Sequence, residues 1–223
     1  RREIIKSTLA KMEINQNPKI LEVGSGTGGN LKMLSSFGDL TSVEISELAV
    51  NISKIKTGNI VDIKSGSLPD NLPNFTHNFD LICLFDVLEH IKEDDRSLKK
   101  IYSLLNPNGF IFITVPAHQW LWSEIDELVE HVRRYSKKEL KKKIFNAGFE
   151  LKKISFFNFF LFPLAVLARL TSKLFKKQAL GLSIPIKIIN DCLYYIFSSE
   201  KRFLKRINFP LGLSLICVAR KVS

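Results

Sequence analysis

Short apolar runs alternate with amphipathic stretches along most of this chain. Ile20–Val23, Leu40–Ile45, Ile60–Lys64, Phe79–Phe85, Phe110–Val115, Phe149–Phe157 and Leu213–Arg220 read as strands. They are compact and rich in branched or aromatic side chains, and turn-forming residues bound most of them. Between them the pattern turns helical: residues 1 to about 14, about Thr27 to Ser36, Ser46 to about Lys56, about Asp94 to Leu105, and Ser136 to Ala147. Ser46 and Ser136 stand where side-chain oxygens cap helix starts, and Gly148 stands just past a helix end. Asn106-Pro107-Asn108-Gly109 breaks the chain before the fifth strand. The alternation predicts an α/β fold, a doubly wound and mostly parallel sheet with helices on both faces.

The first strand runs straight into Gly24-Ser25-Gly26-Thr27-Gly28-Gly29-Asn30. A strand, a glycine turn and a helix bring backbone N–H groups close to a ligand. Gly24, Gly26 and Gly29 satisfy G-x-G-x-x-G, and Glu44 follows at the distance of a ribose-binding acid. That spacing suits a dinucleotide or S-adenosylmethionine equally. Glu22 separates them, because a carboxylate two residues before the first glycine repels a pyrophosphate and attracts an ammonium.

Read with these neighbours, Glu22-Val23-Gly24-Ser25-Gly26-Thr27-Gly28 resembles the first motif of class I S-adenosylmethionine-dependent methyltransferases. The resemblance covers about residues 1–157 and the last strand. It implies a seven-stranded sheet whose last strand is antiparallel, and S-adenosylmethionine as cofactor. It further implies that Glu22, Gly24, Ser25, Gly26, Thr27 and Asn30 surround the cofactor, with Glu44 and Ile45 at the ribose. Gly66-Ser67-Leu68-Pro69 stands where the family often reads Gly-Asp-x-x-x-Leu-Pro, so Ser67 and Leu68 fall at the adenine, without the family's acid. Phe85 and Asp86 end the fourth strand beside the cofactor's amino-acid moiety, and His90 follows. Asp86-Val87-Leu88-Glu89-His90 is also similar to the E-x-x-E-H constellation of ubiquinone-pathway O-methyltransferases, which is associated with a divalent cation. The spacing would set Asp86, Glu89 and His90 on one helix face. The same string is common in methyltransferases without a metal, and no metal is expected here.

Beyond the fifth strand, Pro116 to Tyr135 reads as a long loop holding both tryptophans and His118, Asp126, His131, Arg133 and Arg134. Polar and aromatic residues beyond a strand's carboxyl end suit a substrate wall. His131 is the expected catalytic base, since imidazole titrates near neutrality. Arg133 and Arg134 either clamp an anionic substrate group or neutralise acids such as Glu127 and Glu130. Arg1 and Arg2 read as solvated.

Charge and cysteine usage refine this picture. The three cysteines, Cys83, Cys192 and Cys217, are scattered and suit a reducing compartment, the cytoplasm. Neither a signal-peptide pattern nor a spanning apolar segment is read. The net charge of +11 is concentrated: from Phe160 to Asn208 nine Lys/Arg face only Asp191 and Glu200, while the preceding body is nearly neutral. Here Leu167, Leu170 and Leu174 repeat at helical spacing, with Arg169, Lys173 and Lys176 on another face. After Gly181 and Pro185, Ile186, Ile189, Leu193 and Ile196 repeat similarly, and Lys201, Arg202, Lys205 and Arg206 close the second helix. Phe156, Phe157, Phe159, Phe160 and Phe162 precede them as candidate interfacial anchors.

The expected division is therefore a cofactor-binding core over residues 1–159, a basic helical insertion between strands six and seven over 160–208, and the last core strand over 209–223. The insertion is either a lid or dimer surface packed on the body, or an element lying on an anionic membrane at its inner face. Nucleic acid is not an expected partner, because the basic segment is rich in Leu, Ile and Phe. The expected function is methyl transfer from S-adenosylmethionine to a small, lipid-linked or amphiphilic acceptor, at oxygen. The alternatives are an NAD-dependent oxidoreductase, a non-catalytic cofactor-binding protein, and a protein or RNA methyltransferase.

Overall fold

The computed structural model describes residues 1–175 and 186–222. Seven strands form one sheet: β1 (Lys19–Val23), β2 (Asp39–Glu44), β3 (Asp62–Ser65), β4 (Phe79–Phe85), β5 (Leu105–Pro116), β6 (Phe149–Phe157) and β7 (Ser214–Lys221). Their spatial order is β3-β2-β1-β4-β5-β7-β6. The first five strands pair in parallel, and β7 is antiparallel to both β5 and β6. The central strands are apolar on both faces: Ile111, Phe112 and Ile113 of β5 and Leu81 to Leu84 of β4 are wholly buried. Each such side chain stabilises the fold by about 1.5–3 kcal/mol. The edge strand β6 instead shows Glu150 and Lys152 to solvent, which discourages pairing with another chain.

The helices are α1 (Arg2–Leu9), α2 (Leu31–Leu34), α3 (Glu47–Thr57), α4 (Asp94–Leu104), α5 (Glu124–Leu128), α6 (Lys137–Asn146), α7 (Phe162–Phe175) and α8 (Lys187–Leu204). The expected caps form: Ser46 Oγ accepts from the Ala49 N–H and Ser136 Oγ from the Glu139 N–H. Several boundaries differ from the sequence pattern. The first helix stops at Leu9, although Met12 and Ile14 still pack on the core. The second is only Leu31–Leu34, because the glycine turn, at positive φ through Gly24, Gly26 and Gly28, uses up the residues before it. Asn106–Gly109 does not end the preceding element cleanly. It bulges out of β5, whose pairing jumps from Phe79–Leu105 to Leu81–Phe110. The expected long loop after β5 contains α5, started by a capping box between Ser123 and Asp126.

The segment between β6 and β7 leaves and returns at one end of the sheet, since Phe157 pairs with Ser214 and Ser214 with Pro116. That end is also where β1 and β4 terminate, so α7 springs from the end that carries the loops, while α8 ends beside Lys153, whose Nζ donates to the Leu204 carbonyl. The expected break at Gly181 and Pro185 lies outside the described residues. Among the described residues, no helix is long and apolar enough to cross a membrane. Helix α8 packs against the body through Phe197, which stacks on Phe157, and through buried Glu200 and Leu204. Glu200 accepts from the N–H groups of Asn158 (2.7 Å) and Phe160 (3.0 Å). The anticipated stripe behaves differently: Ile186, Ile189 and Ile196 are exposed and only Leu193 is partly covered. Phe156 and Phe157 are core residues of β6 rather than interfacial anchors.

A buried polar knot joins the α5 region to α4. The Tyr135 hydroxyl donates to Asp94 Oδ2 (2.8 Å) and lies 3.2 Å from the Leu88 carbonyl, while Arg133 and Lys143 pair with the same Asp94 carboxylate. Burial and Asp94 both push the phenol's pKa upward, so it stays a donor. Tyr135→Phe leaves Asp94 with its cations but removes one buried donor. Urea unfolding of that variant is expected to show a loss of about 1–2 kcal/mol with an unchanged slope.

Candidate active site

The strand order reverses between β1 and β4, and a crevice opens beyond their carboxyl ends, where open α/β sheets bind ligands. The glycine turn after β1 forms one lip. Its Gly24 cannot carry a side chain, because a Cβ there would sit 2.5 Å from Val87 Cγ2. At Gly26 the space is open, with no atom within 4 Å of a Cβ position. The second lip is Glu44 at the end of β2. Its Oε2 accepts from the Gly26 N–H (2.7 Å) and its Oε1 from the Ser46 N–H (3.0 Å). Each oxygen keeps a lone pair for a further donor.

The cleft so formed has a volume of about 600 Å³. Gly24, Gly26, Glu44 and Ile45 line one wall, Ser67 and Leu68 a second, and Asp86 and His90 the third. Val87, Ile91, Lys92, Glu93 and Glu130 also line it. Sequence reading missed these five, and Glu130 carries no sequence signal because only folding of the loop after β5 brings it there.

The other anticipated residues lie around the cleft rather than in its lining. Glu22 and Ser25 are buried. Glu22 Oε1 accepts from Asn30 Nδ2 (3.0 Å), whereas Oε2 has no partner, and burial pushes the carboxyl up to about 7. Ser25 Oγ is also without a partner. The Thr27 hydroxyl is engaged by Lys56 at 3.1 Å. The Phe85 side chain belongs to the core and meets Phe112 edge-on, so it does not face the cleft. Arg1 and Arg2 are not merely solvated: Arg1 pairs with Asp86, and Arg2 donates to the Gly29 carbonyl at 3.3 Å.

Asp86 corrects the expectation of one shared helix face. It sits at φ +57°, before a short 3₁₀ turn Leu88–His90, and accepts from the Thr114 hydroxyl at 3.0 Å. Its residue pattern suited a helix, but the 3₁₀ turn starts too late to include it. In its place His131 joins Glu89 and His90. One ligand atom from each of these three lies within 4.8 Å of the others, an arrangement able to hold a metal ion. The His90 and His131 rings meet edge-on with centroids 4.7 Å apart.

Two anchors orient these imidazoles. His131 Nδ1 is 2.9 Å from Asp126 Oδ1, and His90 Nδ1 is 3.3 Å from the Glu130 carbonyl. A carbonyl only accepts, so His90 Nδ1 carries the proton there. Asp126 in turn receives Arg134 through both carboxylate oxygens, at 2.7 and 3.0 Å. Burial pushes the Asp126 carboxyl up, but Arg134, His131 and Ser123 outweigh it and hold the group below its ordinary range. An ionised Asp126 makes His131 Nδ1 the donor and turns Nε2 toward Glu89 Oε1, 3.9 Å away. Arg134 therefore neutralises Asp126, and Arg133 neutralises Asp94, not Glu127 or Glu130 as the sequence suggested. The sequence sets Asp126 among the polar residues of the loop after β5 without a role, and its Ser123-x-x-Asp126 capping spacing is a signal that sequence reading missed.

These residues fit S-adenosylmethionine on structural grounds. Glu22 offers a buried, unpartnered carboxyl oxygen beneath the glycine turn, Gly26 leaves main chain bare, and Glu44 is fixed at the rim with acceptor capacity to spare. The cleft volume is within the usual range for such ligands.

Comparison with known proteins agrees. The family model described as a methyltransferase domain matches residues 1–154. A phosphoethanolamine N-methyltransferase of Plasmodium falciparum is 29% identical over 145 residues, 59% of this chain and 52% of that protein. A ubiquinone biosynthesis O-methyltransferase of Nitrosospira multiformis is 25% identical over 100 residues, 43% of this chain and 41% of the relative. This chain thus spans about half the length, or less, of these curated relatives. The structure of Haemonchus contortus phosphoethanolamine N-methyltransferase 2 in complex with S-adenosyl-L-methionine superposes with a TM-score of 0.65 at 19% identity, over 100% of this chain and 52% of that one, which shows the shared fold.

Burial raises the Glu89 carboxyl to about 8, only partly offset by Arg1 and Arg134. Because the folded state holds this proton and the unfolded chain releases it, stability falls as pH rises from the ordinary carboxylate range to about 8, then levels. Glu89→Gln removes that fall. Thermal melts are expected to match the parent near pH 5 and to exceed it above about pH 8.

Proposed function

The chain belongs to the methyltransferase-domain family, and on that premise we propose that it transfers a methyl group from S-adenosylmethionine to an oxygen of a small amphiphilic or lipid-linked acceptor. The observation that carries this reading is the cleft at the β1–β4 switch point, where the bare main chain of Gly26, the tethered carboxylate of Glu44 and the His90 imidazole converge. The cofactor supplies an electrophilic sulfonium methyl, so the protein's task is mainly to bring a nucleophile into line with it. Glu22 and the glycine turn hold the cofactor's ammonium end, and Glu44 takes its ribose hydroxyls. Ser67 and Leu68 close over the base. The dinucleotide alternative loses its support with the family match.

Proton removal from an acceptor hydroxyl falls to the His90–His131 pair. His90 lines the cleft, and His131 stands against it with Nδ1 held by Asp126. Burial and the neighbouring His131 lower the His90 pKa, which keeps the imidazole neutral at physiological pH and able to accept a proton. The acceptor class follows from what surrounds the cleft end of the sheet. Phe162 of α7 lies against His118 and Trp120 of the loop after β5, with centroids 5.6 and 6.4 Å apart, so the apolar insertion adjoins the candidate substrate wall.

Calorimetric titration tests the cofactor. S-adenosylhomocysteine is expected to bind and NAD is not, and Gly26→Val is expected to weaken binding by on the order of tenfold or more, since its side chain enters the open cleft and its backbone is strained at φ +52°, with circular dichroism checking that the fold is kept. Binding of NAD alone would overturn the reading. For the base, His90→Ala and His131→Ala are expected to lower turnover by about 10²–10⁴-fold, with S-adenosylhomocysteine affinity little changed in His131→Ala, whose side chain lies outside the cleft lining. A lipid extract is the first acceptor source to screen.

A further inference from the structure

Helix α8 divides along its length. Its inner side, Phe197, Glu200 and Leu204, is spent on the body. The outer side of its first half is apolar and uncovered, with Ile188 80% and Tyr195 70% exposed and Tyr194 and Ile196 beside them. The outer side of its second half and the residues that follow are cationic, with Arg202, Lys205 and Arg206 exposed around Phe203 and Ile207. Large apolar side chains left in water on a helix are unfavourable unless something covers them. On the body side of this end, Lys11 and Lys153 share a groove with Lys205 and donate to the Lys205 and Leu204 carbonyls, which fixes where the cationic end of the helix lies.

We propose that the outer face of α8 docks the protein on an anionic lipid bilayer, with Ile188 and Tyr195 entering the interface and Arg202, Lys205 and Arg206 meeting lipid phosphates. Charge decides between candidate occupants. A second copy across a two-fold axis would set this cationic cluster either against itself or against the partner helix's apolar half, and neither arrangement gives the arginines and lysine an anionic surface to meet. A bilayer with anionic headgroups complements both halves at once, taking apolar side chains at the acyl boundary and cations at the surface. The two halves lie at different places along the sheet: the first half of α8 lines a hollow with Leu161, just beyond the cleft end of β6, and the cationic half lies beside Phe110 and Arg220, toward the other end. Docking would thus lay the helix along the membrane surface over its whole length. The inference names a partner for the insertion and holds whatever the acceptor is, because it is read without turnover.

Sedimentation of the full chain with extruded vesicles tests it, using phosphatidylcholine alone and phosphatidylcholine with about one third phosphatidylglycerol. The protein is expected to pellet with the anionic vesicles and not with the neutral ones, and to be released by salt. Arg202→Glu with Arg206→Glu is expected to weaken partitioning about tenfold or more, and Ile188→Glu with Tyr195→Glu comparably. Both variants should keep parental circular dichroism and S-adenosylhomocysteine affinity, which separates failure of this inference from failure of the cofactor reading. A wild type that stays in the supernatant with anionic vesicles overturns the proposal, as does undiminished binding by the charge-reversed variant. A dimer abolished by the Ile188/Tyr195 changes, without vesicle binding, would assign the face to a second copy and overturn it equally.

Discussion

Glu44 ties the site together. One carboxylate, buried at the end of β2, accepts from the N–H of Gly26 in the turn after β1 and from the N–H of Ser46 at the start of α3. Charge-assisted bonds of this kind stabilise by about 1.5–3 kcal/mol each. More important is what they fix. The glycines of this turn have no side chains to pack, so its position depends heavily on main-chain tethers, of which this is one and the Gly24 N–H to Val43 carbonyl bond (2.8 Å) is another. With the turn held, β1 and β4 diverge over a floor that leaves Gly26 bare and Glu44 with acceptor capacity to spare.

The opposite wall follows another rule. There the side chains beside the cleft include two imidazoles, whose chemistry depends on orientation more than on burial. Asp126 orients His131 and is itself held by Arg134, while the Glu130 carbonyl orients His90. The acid at the centre, Glu89, has no hydrogen-bond partner on either carboxyl oxygen, His131 Nε2 standing 3.9 Å from Oε1, and is pushed toward its neutral form. A buried carboxyl without hydrogen bonds is costly, so this wall trades stability for a cluster of titratable groups next to the cleft. The polar knot of Tyr135, Asp94, Arg133 and Lys143 lies beyond it and keeps the loop after β5 in place.

Much of this was legible because it depends on local pattern. Period-two and continuous apolar runs located six of the seven strands to within a residue or two, and β4 and β6 without error, whereas β5 begins at Leu105, five residues ahead of the expected Phe110 and across the bulge. The caps at Ser46 and Ser136 are local chemistry and were legible for the same reason. Errors gathered where chain direction changes. The glycine turn consumed the first turn of α2, Asp86 adopted a left-handed backbone instead of a helical one, and α5 arose inside an apparent loop.

What the sequence determined by itself was the fold class, the cofactor turn and the confinement of positive charge to one insertion, because each is a property of neighbouring residues. What only the tertiary structure decided was partnership across the chain. Arg134 meets Asp126 rather than a substrate, His131 reaches Glu89 and His90 across some forty residues, and Phe85 turns into the core. It also decided which side of α8 is spent, since Phe197, Glu200 and Leu204 face the body while the isoleucine stripe is left outside. Helical periodicity reports that a face exists. Which face is buried depends on the surface it meets, and here that surface is built by residues distant in sequence, Phe157 to Phe160 at the end of β6.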